Sequence, residues 1–185
     1  MLLGDVYIDR VDILLEVSMM SVHLVLPRQG HLEQVIHIFG YLKVHKKLRL
    51  LFDSNHPQIS SCRFKPYYWF DYYRDAKEAI SPNIPEARGL SMSISIFVDV
   101  YLAEDKVNRR SQIGVLIFYN KLPIYWYSKR QPQVESSNFG SVFRATKTTV
   151  EMTIALCYKL RMFDVPIDGP ASIFCENQVV YHNTV

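Results

Sequence analysis

Cysteine is scarce in this chain of 185 residues, which has three: Cys62, Cys157 and Cys175. They stand far apart, with no CxxC spacing and no paired histidines, so they do not read as a zinc site. An odd, sparse count fits a reducing compartment rather than a disulfide framework. Glycine is sparse too, at 7, and forms no phosphate-cradling loop. His31, His37 and His45 lack the i, i+4 spacing of a metalloprotease helix. No Ser-His-Asp arrangement is supported. No apolar run is long enough to cross a bilayer. The opening Met1-Leu2-Leu3-Gly4-Asp5 meets charge too soon for a signal peptide. The expectation is an intracellular protein, cytoplasmic or nuclear, with no membrane partner.

What is present is apolar residue in quantity. Hydrophobic residues make up 49% of the chain, enough for a packed core and too many for disorder. The net charge of +3 bears on solubility and encounter rather than on fold. The length allows one domain, or a small domain with part of another.

The pattern divides the chain into three. In residues 1–53, Val11, Leu14, Leu15, Val17, Met20 and Leu24 recur at helical spacing, with Pro27 and Gly30 as stop signals. A second helix is predicted from about His31 to Lys46, with Leu32, Val35, Ile36, Phe39 and Leu42 on its apolar stripe. Lys43, His45, Lys46, Lys47 and Arg49 load its C-terminal end, where the helix dipole favours cations. The run Leu48 to Phe52 has the composition of a short strand. Residues 54–90 read as a connector, since Pro57, Pro66, Pro82 and Pro85 stop long elements. Tyr67, Tyr68, Trp69, Phe70, Tyr72 and Tyr73 form an aromatic cluster within it, suited to packing or to stacking on bases.

From Ser91 the period changes to that of strands. Met92, Ile94, Ile96 and Val98 alternate with Ser91, Ser93, Ser95 and Phe97. Val115 to Tyr119 and Leu122 to Tyr127 read as two more strands, joined by a tight turn at Asn120-Lys121. Ser136 or Ser137 is placed to cap a helix from about Phe139 to Met162, with Phe143, Val150, Ile154 and Cys157 on one face. Ala171 to Cys175 reads as a buried fourth strand.

Three stretches carry a family resemblance. Ile96-Phe97-Val98-Asp99 looks like a first strand ending in an acidic metal ligand. Arg109-Arg110-Ser111 with Ile124-Tyr125-Trp126-Tyr127-Ser128-Lys129-Arg130-Gln131 is similar to an "RRS … I.W.SKKQ" signature. Ile173-Phe174-Cys175-Glu176-Asn177-Gln178 looks like an "I.CDNQ" motif. Together they resemble the ribonuclease H domain of copia-type LTR retrotransposon Pol polyproteins. The helical half, through Leu26-Pro27-Arg28-Gln29-Gly30-His31-Leu32 and Tyr41-Leu42-Lys43, resembles the thumb and connection at the end of the reverse transcriptase.

The resemblance implies an α/β fold, a ribonuclease H-like mixed sheet with a long packed helix, after a mainly helical segment. It also implies hydrolysis of the RNA strand of RNA–DNA hybrids by two Mg2+ ions, which clamp the attacking and leaving oxygens. Asp99 matches the first-strand aspartate, Glu176 stands at the fourth-strand aspartate, and Val142 stands at the helix glutamate. The three are expected to converge at one edge of the sheet. Valine ligates nothing, and the longer Glu176 strains magnesium's octahedral geometry. Glu135 and Glu151 are poor replacements. Tyr101 and Glu104 depart from the family's first-strand motif. The family's last acidic ligand and final helix would lie beyond Val185, so an incomplete domain with exposed apolar surface is expected. Asp99 and Glu176 are also explicable as a strand terminator and a helix N-terminal charge. Arg109, Arg110, Lys129 and Arg130 are candidates for phosphate contacts with the hybrid, or plain solvated surface. The implied partners are the hybrid or another nucleic acid and the rest of the polyprotein. A non-catalytic binding or scaffolding module on the same fold is the alternative.

Overall fold

The computed structural model describes residues 10–48, 50–55, 57, 74–75, 81–102, 108–178 and 180. The aromatic cluster from Tyr67 to Tyr73, Cys62 and Glu104 lie outside them. A single 3-10 turn, Val11–Ile13, leads into helix α1, Leu14–Ser21, and α2 follows at Gln29–Val44. The sheet and its helix come next: β1 Ile94–Tyr101, β2 Gln112–Tyr119, β3 Leu122–Arg130, α3 Asn138–Met162 and β4 Ser172–Cys175.

The sheet is mixed, with strand order β3-β2-β1-β4. The β1–β2 and β2–β3 pairs are antiparallel, and β4 returns through α3 to lie parallel to β1. A mixed four-stranded sheet with one long helix is an α/β arrangement consistent with a ribonuclease H-like fold. The β2–β3 turn is Asn120-Lys121, where Asn120 takes a left-handed φ of 56°, a conformation asparagine tolerates. Its side chain accepts from the backbone N–H of Ser93 at 2.9 Å and donates to the Ser54 carbonyl at 2.8 Å.

One face of the sheet makes the core. Ile94, Ile96 and Val98 of β1 and Ile113, Val115 and Ile117 of β2 are buried with Ala145 of α3. The buried stripe of α3 is Ser141, Val142, Ala145, Thr149 and Thr153. Small side chains there let the helix lie close to the sheet. Thr149 and Thr153 donate their hydroxyls to the carbonyls four residues back, at 2.8 and 2.7 Å, which satisfies them without a partner in the sheet. Phe143, Val150 and Ile154, read as one face with Cys157, are exposed, whereas Cys157 packs against the core. The volume available next to β1, rather than hydrophobicity alone, selects the buried stripe.

The first helix is shorter than its periodicity suggested. It ends at Ser21, and Leu24 is exposed. Gly30 does not close that helix but sits in the first turn of α2. Of the run Leu48 to Phe52, the described residues form no strand, and Leu51 and Phe52 are exposed. β2 and β3 each extend three residues past their apolar stretch, because ladder hydrogen bonds need backbone and not apolar side chains. β4 is half-buried rather than buried, being at the end of the described strand order.

Helix α1 lies against β3. Ser18 donates to the Ser128 carbonyl at 2.9 Å, and the Gln112 amide donates to both Ser18 Oγ and Ser128 Oγ at 2.8 Å. Ile13, Val17 and Ile38 form a second small cluster between α1 and α2.

Candidate functional site

The register of the sheet decides what can meet at its end. Val98 is the last residue of β1 paired with β4, opposite Cys175. Asp99 and Glu176 come next in the chain, Asp99 within β1 and Glu176 just past the end of β4. Both are exposed. Asp99 Oδ1 accepts from the backbone N–H of Val100 at 2.7 Å. Across β2 its partner is Gly114, so no side chain stands beside the Asp99 carboxylate on that strand.

Strand alternation puts Asp99 on the same face as Phe97. There Phe97 stacks on Phe174 at 4.8 Å and meets Phe118 edge-on at 5.7 Å. Val142 is buried on the α3 stripe that includes Ala145, and Ala145 packs into the core with Val98. Glu135 accepts from Arg144 in an ion pair of 3.4 Å at the start of α3, and Glu151 lies 3.9 Å from Lys147 further along it. Neither joins the Asp99–Glu176 pair.

Two carboxylates are hard oxygen donors of the kind magnesium takes. Among the described residues no group of three or more His, Cys, Asp or Glu is placed to hold a metal.

The basic residues lie at the same end of the sheet. Val100 pairs with Ile113 and Ile113 with Lys129, while Tyr101 pairs with Gln112 and Gln112 with Arg130. Lys129 is exposed and Arg130 half-buried. Arg109, exposed, and Arg110, half-buried, lead into β2 at that end, and Arg109 has a left-handed φ of 55°. Acidic and basic groups are thus separated by about two strand spacings, roughly 10 Å.

Sequence reading missed the role of Gln131, Ser111 and Ser141. All three are buried. The Gln131 amide donates to the Ser141 carbonyl at 2.8 Å, its backbone N–H donates to the Ser111 carbonyl at 2.7 Å, and the Ser111 and Ser141 hydroxyls are 3.1 Å apart. This knot ties the start of β2, the end of β3 and the first turn of α3 together. A glutamine directly after a basic strand end gives no periodic signal that it turns inward. The sequence also gave no sign that Arg144 and Lys147 of α3 line a cleft with Lys129 and Arg130.

Among the described residues no helix is long and apolar enough to cross a membrane. Over 90 residues, 49% of its length, the chain is 27% identical to the "Retrovirus-related Pol polyprotein from transposon RE1" of Arabidopsis thaliana. The matched stretch is 6% of that polyprotein. This similarity supports a retrotransposon Pol-related region, a fragment of a retroelement polyprotein. No protein-family model and no solved structure matches the chain.

Proposed function

We propose that this chain is a fragment of a copia-type retrotransposon polyprotein. On this reading residues 1–53 are the tail of the reverse transcriptase, 54–90 a connector and 91–185 a ribonuclease H-like domain. Its ancestral activity is metal-dependent hydrolysis of RNA in RNA–DNA hybrids, lost or crippled in this copy. One observation supports the reading: β4 runs parallel to β1 with Val98 opposite Cys175, one residue before Asp99 and Glu176, and a magnesium-dependent nuclease of this kind would need its carboxylates at such a sheet end. The apolar Val142 at the helix position is the ground for lost activity, because a metal site short of donors loses most of its charge stabilisation at the phosphate. Arg109, Arg110, Lys129 and Arg130 would hold the hybrid backbone.

The test is a cleavage assay on a labelled RNA–DNA hybrid with magnesium or manganese. Hybrid binding without cleavage is the expected result. Robust cleavage abolished by Asp99→Asn would overturn the loss of activity, and failure to bind any nucleic acid would overturn the reading as a whole.

The second reading, a non-catalytic nucleic-acid-binding module, is favoured by the same register, which gathers Lys129 and Arg130 at the end of the sheet that carries Asp99. It differs in requiring that binding have been retained while the carboxylates are dispensable. Equal hybrid affinity of the unmodified chain and Asp99→Asn would support it.

A further inference from the structure

Helix α2 turns its apolar residues two ways. Ile38 is buried and Leu42 partly buried against α1. Leu32 and Ile36 are each 61% exposed and Phe39 is 50% exposed, at the i, i+4, i+7 spacing of one helix face. Leu24, Val25 and Leu26 are exposed in the turn before the helix, and Val44 and Leu48 are exposed at its other end. Single exposed apolar side chains need no explanation, but a row of them along one helix face marks an interaction site. Charge is distributed along the same helix with opposite signs. Glu33, exposed, stands near the N-terminal end, and Lys43, Lys46 and Lys47, also exposed, stand at the C-terminal end. A nucleic-acid strand would be matched at the basic end alone and would leave Leu32 and Ile36 uncovered. A second α2 running the opposite way is matched at both ends. The surface is complementary to itself about a two-fold axis, which an isologous dimer requires.

We propose that the outward face of α2 binds the same face of a second copy of this chain, in antiparallel orientation. Ile36 of each copy then packs on Phe39 of the other, and Leu32 lies beside Val44. The two Glu33–Lys43 pairs stand at the rim, where they fix direction more than they add affinity. The antiparallel orientation also sets each helix N-terminus beside a C-terminus, so the two dipoles attract. A helix of 16 residues is about 24 Å long, and such a face falls short of the roughly 800 Å² per partner of a standard interface. The dimer is therefore a weak one, with a dissociation constant between about 1 μM and about 1 mM. Nothing in this association depends on the proposed retroelement function.

Sedimentation equilibrium of the full chain across that concentration range reads the association directly. Ile36→Lys, at a position already exposed, is expected to leave the far-ultraviolet circular dichroism unchanged and to abolish dimerisation. Glu33→Lys and Lys43→Glu are each expected to weaken it roughly fivefold, because each puts like charges together twice in the symmetric dimer. The exchanged chain, Glu33→Lys/Lys43→Glu, is expected to recover the original affinity, a rescue that neither misfolding nor non-specific apolar association produces. A chain that stays monomeric throughout the range, or that forms open-ended aggregates, overturns the proposal. So does a dimer that Ile36→Lys leaves intact, since it forms through another face. A dimer that the single charge variants do not weaken overturns the antiparallel orientation and with it the self-complementary surface.

Discussion

Val98 pairs with Cys175 in parallel register, and the chain on each strand continues into an acidic residue, Asp99 on one and Glu176 on the other. Two carboxylates 77 positions apart in sequence thereby reach one end of one sheet. The relationship depends on a crossover through α3 that returns β4 beside β1, the arrangement by which parallel strands are joined. Ligands of open α/β sheets bind at the carboxyl ends of such strands.

Magnesium-dependent cleavage of an RNA–DNA hybrid is expected to stay at background. Each tenfold of rate corresponds to about 1.4 kcal/mol, and a centre with two carboxylates lacks several such increments. Val142→Glu with Glu176→Asp is expected to yield no more than a trace, even with manganese, because position 142 is buried in α3. The same double variant is expected to lose roughly 3 kcal/mol of stability in urea unfolding, from burial of an uncompensated carboxylate.

The two faces of β1 are expected to respond unequally to truncation. Ile96 is fully buried and Phe97 is 45% exposed. Ile96→Ala should cost about 2–5 kcal/mol. Phe97→Ala should cost about 1 kcal/mol, mostly from its contacts with Phe174 and Phe118. It should also reduce binding of a hydrophobic dye, because Phe97 is part of the exposed aromatic face beside Asp99. Equal costs would place the core on the wrong side of the sheet.

Gln131 is expected to behave as a structural residue. Gln131→Ala removes the bond to the Ser141 carbonyl and leaves a small void, at a cost of about 2–3 kcal/mol. Gln131→Glu should be worse at neutral pH, since a buried carboxylate there has only a carbonyl opposite it. A carboxyl buried in this way titrates above the ordinary glutamate range. Its protonated form, which can donate to Ser141, is the stabilising one. The variant should therefore recover stability below the unfolded pKa of about 4.3 and lose it as pH rises. Unfolding midpoints across pH check this.

His31 offers a pH response at the start of α2. Its Nδ1 accepts from the backbone N–H of Arg28 at 3.1 Å, and its ring stacks on His23 at 3.9 Å. Desolvation, then the charges of His23 and Arg28, hold its pKa below the ordinary histidine value. A lowered folded pKa means that the unfolded chain takes up the proton first. The stabilisation is present above the unfolded pKa of about 6.5 and is lost as pH falls from there through the lower folded pKa. Helix content and melting temperature should fall between about pH 7.5 and about pH 5.5. His31→Gln, which keeps an acceptor at the third helical position and does not titrate in that window, should flatten the dependence.

Part of this molecule was legible from residue pattern alone. The strands of the sheet, the Asn120-Lys121 turn, the Ser137 cap, whose hydroxyl accepts from the Gly140 N–H at 3.1 Å, and the extent of α3 follow from local chemistry. Period-two alternation, a left-handed turn residue and an N-terminal hydroxyl each act within a few positions. The candidate carboxylates Asp99 and Glu176 were legible too, through motifs at strand ends.

Tertiary structure decided the rest. Which stripe of α3 is buried depended on how closely the helix approaches β1. That favoured Ala145, Ser141 and Thr149 over Phe143, Val150 and Ile154, although the latter are the more hydrophobic. Arg144 and Lys147 line a cleft with Lys129 and Arg130, and charge carries no periodic mark of such a meeting. By itself the sequence determined elements whose causes are local. Packing determined which of their faces meet, because burial is a property of pairs of elements that no single stretch of sequence contains.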